Sequence, residues 1–197
     1  MATHRIPATP PEDRDGFRYR GGTAVLDLTA TLRARLSSAP QELLATPRDL
    51  DRWIVAAGLV ASSPGADDAD LRTARALREA IYVLAGERDA AALSVSACKV
   101  LNRTAKTPAA APALRADGTA QLKGSVAQLL STLARDAIHL FGSRAIAIRQ
   151  CQSPTCAIYF IDTSRSGDRR WCSMSACGNK AKVAEFRRRR RAEEGGS

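Results

Sequence analysis

The chain has 197 residues, 45% of them hydrophobic and 25% charged, with five cysteines and a formal net charge of +10. Such proportions fit one soluble globular domain with a small annex, and exclude wholesale disorder, a collagen-like repeat and a disulfide mini-protein. No apolar run approaches the roughly 18–20 residues that span a bilayer, and the start, MATHRIPATPPEDRDG, lacks the apolar core of a secretory signal, so a cytoplasmic protein with no membrane partner is expected.

Residues 1–20 are rich in Pro, Gly and charge and are expected to form a flexible arm. Val25, Leu28, Leu32 and Leu36 then recur at helical spacing. Thr46 before Pro47 reads as an N-cap with Pro at the first helical position, and Leu50, Trp53, Ile54 and Ala57 give the second helix its apolar face. Residues 62–65 are a loop. Residues 68–86 are predicted as a third helix, with Leu71, Ala74, Leu77, Ile81 and Leu84 on one stripe and Gly86 as its terminator. Residues 89–105 read as a fourth helix, with Cys98 a small buried residue. Asp117-Gly118 between APALRA and TAQL is a hairpin signal. Residues 124–142 are a fifth helix with Gly142 at its end, and His139 on it is expected in a core or interface. The fold class expected is mainly α: a helical domain over 21–145 with one small β-hairpin, a finger over 146–191 and a tail over 192–197.

Four of the cysteines, Cys151, Cys156, Cys172 and Cys177, form the pattern C-x4-C-x15-C-x4-C. Two close pairs about 15 residues apart in a cytoplasmic chain point to a metal site rather than to disulfides. Zn²⁺ takes four thiolates in a tetrahedron, and a segment of about 50 residues needs such a staple because it cannot bury enough apolar surface alone. One structural zinc per chain is therefore expected; buried thiols without metal and a redox pair are the alternatives. A catalytic zinc is disfavoured, since four thiolates close the shell and neither His4 nor His139 is near in sequence. The order of the segment, a cysteine pair, a hairpin that uses AIYFI, then a second pair at the start of a helix, is treble-clef-like. Tyr159, Phe160, Trp171 and Phe186 are expected to form its mini-core, packing rather than stacking on bases. Loss of Cys172 or Cys177 is expected to unfold the finger alone.

Charge is concentrated in the same stretch. Residues 149–191 hold 11 Lys and Arg against 3 Asp and Glu, a net +8. Zn²⁺ with four thiolates totals −2, which leaves the segment near +6. Lys180, Lys182, Arg187, Arg188, Arg189, Arg190 and Arg191 lie on the predicted last helix, and Arg165, Arg169 and Arg170 precede it. A run of arginines is costly in a packed interface and favourable against phosphates, so nucleic acid is the expected partner; a solvated helix end and an acidic membrane surface are the alternatives.

The stretch R-x-C-x4-C-x3-F-x-D-x-S-R…R-R-W-C-S-M-x2-C-G-N resembles the CGNR zinc finger of bacterial transcription regulators. Residues 24–142, through LDLTATL, DLDRWIVAAGLV, LRTARALREAIYVL and the pair Leu101-Asn102, resemble the stress-induced transcription regulator or ABATE-like domain that precedes such fingers. The resemblance implies that the four cysteines bind zinc and that the finger binds DNA. Two positions depart from the family pattern. Lys180 stands where CGNR has its arginine, which keeps the charge and loses the bidentate fork suited to guanine. Ala30 stands where the N-terminal pattern has an asparagine.

Two functions are weighed. The first is a DNA-binding transcription regulator whose helical domain senses a small molecule or dimerises. The second is a small-molecule-binding or resistance protein with the finger as a structural or partner-binding appendage. Asp27, Thr31, Arg78, Tyr82 and Asn102, polar residues near apolar helical faces, are the candidate ligand-binding groups, with capping and surface hydrogen bonds as the alternative roles. Paired carboxylates, a Ser/His/Asp set and a phosphate loop are missing from the sequence, so an enzyme is not expected. RNA and DNA look alike to an arginine run.

Overall fold

Asp67 opens the longest helix of the domain. Its side chain accepts from the Asp70 N–H while the Asp70 carboxylate accepts from the Asp67 N–H, a capping box that fixes the start of α3 (Asp68–Gly86). Leu71, Ala74, Leu77, Ile81 and Leu84 then fall on one buried stripe. Against α3 pack α1 (Ala24–Thr29), α2 (Pro47–Ala56), α4 (Val95–Thr104) and α5 (Val126–Gly142). The computed structural model describes residues 12–143 and 145–194, with side chains as far as Arg191. Helices α2 and α5 open on capping boxes as well, Thr46 with Asp49 (Pro47 following at N1) and Ser125 with Gln128. Leu26, Leu28, Leu50, Trp53, Ile54, Leu77, Ile81, Leu84, Leu129 and Leu130 are fully buried between these helices, each side chain contributing about 1.5–3 kcal/mol. No described helix is long and apolar enough to cross a membrane.

Four antiparallel two-stranded ribbons complete the fold. They are β1 (Asp13–Arg14) with β2 (Phe17–Arg18), β3 (Leu32–Arg33) with β4 (Gln41–Glu42), β5 (Ala111–Leu114) with β6 (Ala120–Lys123), and β7 (Ile148–Gln150) with β8 (Tyr159–Ile161). The β5–β6 hairpin turns at Asp117-Gly118, where Gly118 has φ +80°, the left-handed region that favours glycine. A final helix, α6 (Asn179–Glu194), runs three residues beyond the expected 191.

The structure corrects several expectations. Residues 12–20 are packed rather than a loose arm: Phe17 is buried, and Tyr19 stacks on Trp53 and donates its hydroxyl to the Trp53 carbonyl at 3.1 Å. Residues 1–11 of that arm and 195–197 of the tail lie outside the described residues. The first helix stops at Thr29, because the Thr29 and Thr31 hydroxyls donate to the Leu26 and Leu28 carbonyls and Leu32 turns into a strand paired with Glu42. Leu36, expected on its stripe, is exposed. The fourth helix begins at Val95, not 89, capped by Ser94 after a turn that the Glu87 carboxylate holds through the Ser94 N–H at 2.7 Å. His139 is exposed and Cys98 is half-buried, so the apolar stripes of α5 and α4 are narrower than the sequence suggests.

The finger is built onto the helical domain. The Ile161 N–H donates to the Gly21 carbonyl at 2.9 Å, and Tyr159 sits in the main core against Tyr82, ring centroids 5.1 Å apart. Gly86 serves this junction rather than terminating α3 with a left-handed turn, for a Cβ there would lie 2.8 Å from the Tyr159 hydroxyl. Arg88 is the buried staple. Its guanidinium donates to the carbonyls of Leu140 at 3.2 Å, Phe141 at 2.8 Å, Ser143, and Ile146 at 3.1 Å, so one side chain satisfies the open end of α5 and holds the first residues of the finger. Replacing Arg88 by Met should lower stability by about 2–4 kcal/mol, since several buried carbonyls lose a charged donor at once. The check is a urea unfolding midpoint that falls at unchanged slope; an unchanged midpoint would mean that water replaces the guanidinium without cost.

Candidate metal centre and nucleic-acid interface

The first cysteine pair lies inside the β7–β8 hairpin, not before a separate one. Cys151 follows β7 and its N–H donates to the Ile158 carbonyl at 2.9 Å, while the Cys156 N–H closes a turn on the Ser153 carbonyl at 2.9 Å. Cys172 and Cys177 come from a loop and from the π-helical turn Met174–Gly178 that leads into α6. Ser173 caps this turn by accepting from the Ala176 N–H, and the Gly178 N–H reaches back five residues to the Ser173 carbonyl at 3.0 Å. That wider turn brings together two cysteines five positions apart.

All four sulphurs lie within 4.8 Å of one another, all four residues are buried, and none is in a disulfide. Cys156 and Cys172 Sγ are 3.8 Å apart, and Cys172 and Cys177 Sγ are 3.7 Å apart. A regular tetrahedron with Zn–S of about 2.3 Å has edges of about 3.8 Å, so the spacing suits that ion. The charges agree. The Cys156 and Cys172 thiols hold the Cys151 thiol far below its ordinary value, while the Cys151 and Cys156 sulphurs, with burial, drive Cys172 far above it. A divalent ion at the centre of the cluster lets all four sulphurs ionise. The residues fit one structural Zn²⁺, whose shell the four thiolates complete.

The other signature residues hold this site in place. Arg149 Nε pairs with Asp162 Oδ2 at 2.9 Å. Asp162 also accepts from the Ser164 hydroxyl at 2.6 Å, the Ser164 N–H at 2.9 Å and the Arg169 N–H at 3.0 Å; the Ser164 hydroxyl is the main cause that keeps its carboxyl below the usual range. Arg169 is half-buried over the Phe160 ring and donates to the Trp171 carbonyl at 2.8 Å and to the Cys172 carbonyl. Its guanidinium is thus engaged in the metal loop. Phe160 is fully buried beside the cysteines with Ile158 and Ala30, and Trp171 packs at their edge. The expected mini-core is corrected at two places: Tyr159 belongs to the main core, and Phe186 is 61% exposed.

The remaining cations face solvent. Arg165, Arg170, Lys180, Lys182, Arg187, Arg188, Arg189, Arg190 and Arg191 are exposed, and no residue from 179 to 191 is fully buried. Glu185 pairs with Arg188 and, at 3.0 Å, with Arg189. Arg170 Nε donates to Gln152 Oε1 at 2.7 Å, and its guanidinium lies 5.2 Å from the Trp171 ring centroid.

Three of the five candidate ligand-binding residues meet in one polar network. Arg78 grips Glu42 through two bonds of 2.6 and 2.7 Å, donates to Glu79 at 2.8 Å and touches the Thr31 hydroxyl at 3.3 Å. Arg35 also pairs with Glu79 and lies 4.0 Å over the Tyr82 ring, and Gln150 of the finger donates to the Tyr82 hydroxyl at 3.4 Å. Asp27 stands apart, buried on α1 and accepting from the Gly21 N–H at 2.7 Å. Asn102 is exposed on α4 and joins none of these groups. Sequence reasoning missed Arg35, Glu42, Glu79 and Arg88. Only the spacing of Arg78, Glu79 and Tyr82 on α3 hints at the cluster; Thr31, Arg35, Glu42 and Gln150 come from distant segments.

Two expected outcomes follow from the junction. Because Ala30 of the helical domain packs among the cysteines, Cys172→Ser should abolish stoichiometric zinc and also speed amide exchange in α1. Unchanged exchange there, with the finger unfolded, would establish two independent units and restore the expectation from sequence. Burial lifts the Asp27 carboxyl from 3.8 to about 6, outweighing the Gly21 N–H and the Arg14 charge that favour ionisation. The folded state therefore binds the proton more tightly, and stability from this group declines as pH rises from about 4 to about 6, by an amount on the order of 3 kcal/mol. Asp27→Asn keeps an acceptor for Gly21, so its stability relative to the parent should grow across that window in denaturant titrations; a flat difference would exclude this carboxylate as the cause.

The model of the ABATE family, described as "Putative stress-induced transcription regulator", matches residues 22–144, and that of the CGNR zinc finger matches residues 147–190. No curated protein matches the chain. The two matches leave only residues 145–146 between them, beside the Ile146 carbonyl that Arg88 holds. The chain belongs to the ABATE family and carries a CGNR zinc finger at its C-terminal end.

Proposed function

We propose that this protein is a transcription regulator that binds DNA through its zinc finger, with α6 as the contacting helix. The observation that carries this reading is the exposure of Lys180, Lys182 and Arg187–Arg191 on a helix anchored at one end by the metal turn. A helix of about 10–12 Å diameter matches a major groove about 12 Å wide. Its cations would meet phosphates on both walls, with Arg165 and Arg170 extending the surface. Lys180 offers a point charge rather than a fork, so guanine readout would fall to an arginine.

The helical domain would bias the finger from within, by sensing a small molecule or by dimerising. The chain of contacts from Glu42 through Arg78, Glu79, Arg35 and Tyr82 to Gln150 of β7 supports this reading, because a change at α3 has a direct route to the finger. Arg78 is already committed to two carboxylates, which argues against its being an open ligand contact.

Selection of random duplex DNA on the zinc-loaded protein near physiological salt, with a chelated control, tests the reading. A zinc-dependent enriched motif is the expected result, and its symmetry would report the oligomer; no enrichment would reduce the finger to a nonspecific anchor. Replacing Arg187–Arg191 by Ala should weaken binding at least tenfold. The dependence of log affinity on log salt should become shallower by about 0.9 for each phosphate that the variant no longer neutralises. An unchanged salt slope would place the footprint elsewhere.

A further inference from the structure

The metal site and the phosphate contacts leave the aromatic residues of one surface of the finger without a role. It is a groove of about 530 Å³ between the loop that carries Trp171 and the first turns of α6, bordered by Arg170, Gly178, Lys182, Phe186 and Arg189. Phe186 is 61% exposed on a helix whose other large apolar residue, Val183, is 48% exposed. Trp171 is half-buried: it packs on the cysteine cluster, and a Cβ on Gly178 would crowd the Met174 side chain at 2.9 Å and touch the Trp171 ring at 3.4 Å.

We propose that this groove receives a single unstacked nucleobase, held between Phe186 and Trp171 while Arg170, Lys182 and Arg189 contact the flanking phosphates. The inference rests on the nucleic-acid reading above and deepens it. Aromatic side chains interleaved with cations form the stacking platform used for unpaired bases, because every base has a π-face and every nucleotide a phosphate. A second copy of this chain fits poorly here. It would bring two runs of five arginines face to face, and Glu185, the acidic residue in the groove, already pairs with Arg188 and Arg189. A fully stacked duplex offers no base face, so the preferred site contains a bulged, mismatched or easily unstacked base.

The full-length zinc-loaded protein would be titrated with two DNA duplexes of equal length, one fully paired and one with a single bulged thymine. The chain has two tryptophans, and Trp53 is wholly buried in the core, so quenching on binding reports Trp171. The expected result is tighter binding of the bulged duplex by about 5- to 100-fold, with quenching, and loss of that preference in Phe186→Ala at unchanged salt slope. Phe186 is outside the core, and the zinc content of the variant verifies that the finger remains folded. Equal affinity for the two duplexes, a preference that survives Phe186→Ala, or binding without quenching overturns the proposal while leaving phosphate contact in force. Failure of both duplexes to bind in a zinc-dependent manner removes the nucleic-acid reading and this inference with it.

Discussion

Four sulphurs within 4.8 Å of one another are the constraint on which the finger depends. Thiolates at that separation repel, and thiols at that separation gain little; a divalent cation turns the crowding into the strongest contact of the segment. Everything local is arranged to permit it. The β7–β8 hairpin turns tightly enough to present Cys151 and Cys156 on one side, and the π-helical turn brings Cys177 to Cys172. The apolar surface available to help is small: Phe160, Ile158 and part of Trp171, with Ala30 donated by the helical domain. So few side chains cannot hold a segment of about 50 residues by burial.

The borrowed alanine has a wider consequence. The finger is wedged onto the helical domain rather than strung from it. Tyr159 enters the main core, Ile161 bonds to Gly21, and Arg88 ties the end of α5 to Ile146. Such contacts limit relative motion of the two units, because each is buried or satisfies a backbone group that would otherwise be unpaired. Any influence of the helical domain on nucleic acid would then pass through a shift in these packed contacts, not through a swinging linker.

Much of this arrangement is legible in sequence, and the reasons are specific. Helix α3 reads correctly because its apolar stripe holds from Leu71 to Leu84, and the Asp67 capping box fixes the start that the stripe implies. The β5–β6 hairpin reads correctly because Asp-Gly admits few other conformations. The cysteine pattern names its metal because spacing and chemistry both point to zinc. The first helix misleads because Leu32 and Leu36 continue the helical period while the partner of Leu32, Glu42 in β4, lies ten residues on. Phe186 misleads for a different reason: an aromatic near a metal site is usually packed, and nothing local shows that α6 leaves the body after its first turns. Arg78 and Glu42 are 36 positions apart and Arg88 and Ile146 are 58 apart, and a single sequence carries no record of such pairings.

The arginines of the finger divide into two sets, and the division bears on where recognition resides. Arg149 and Arg169 are in the signature and are taken up by the fold, one pairing with Asp162 and the other holding the Trp171 and Cys172 carbonyls. Asn179 likewise turns back to the Ser175 carbonyl at 3.1 Å. Part of the motif that identifies the finger is therefore a motif for building it. The other exposed cations include Arg165 and Arg170 of the signature, Lys180 at its last place, Lys182 and the arginines of α6. A scaffold held by the cysteines and by bonds to backbone carbonyls can persist while the exposed cations change, so differences in target between proteins with this finger would track those cations. On that argument Lys180 in place of arginine would alter what the finger contacts and not how it folds, since Lys180 is exposed and the bonds that shape the turn run through its neighbours.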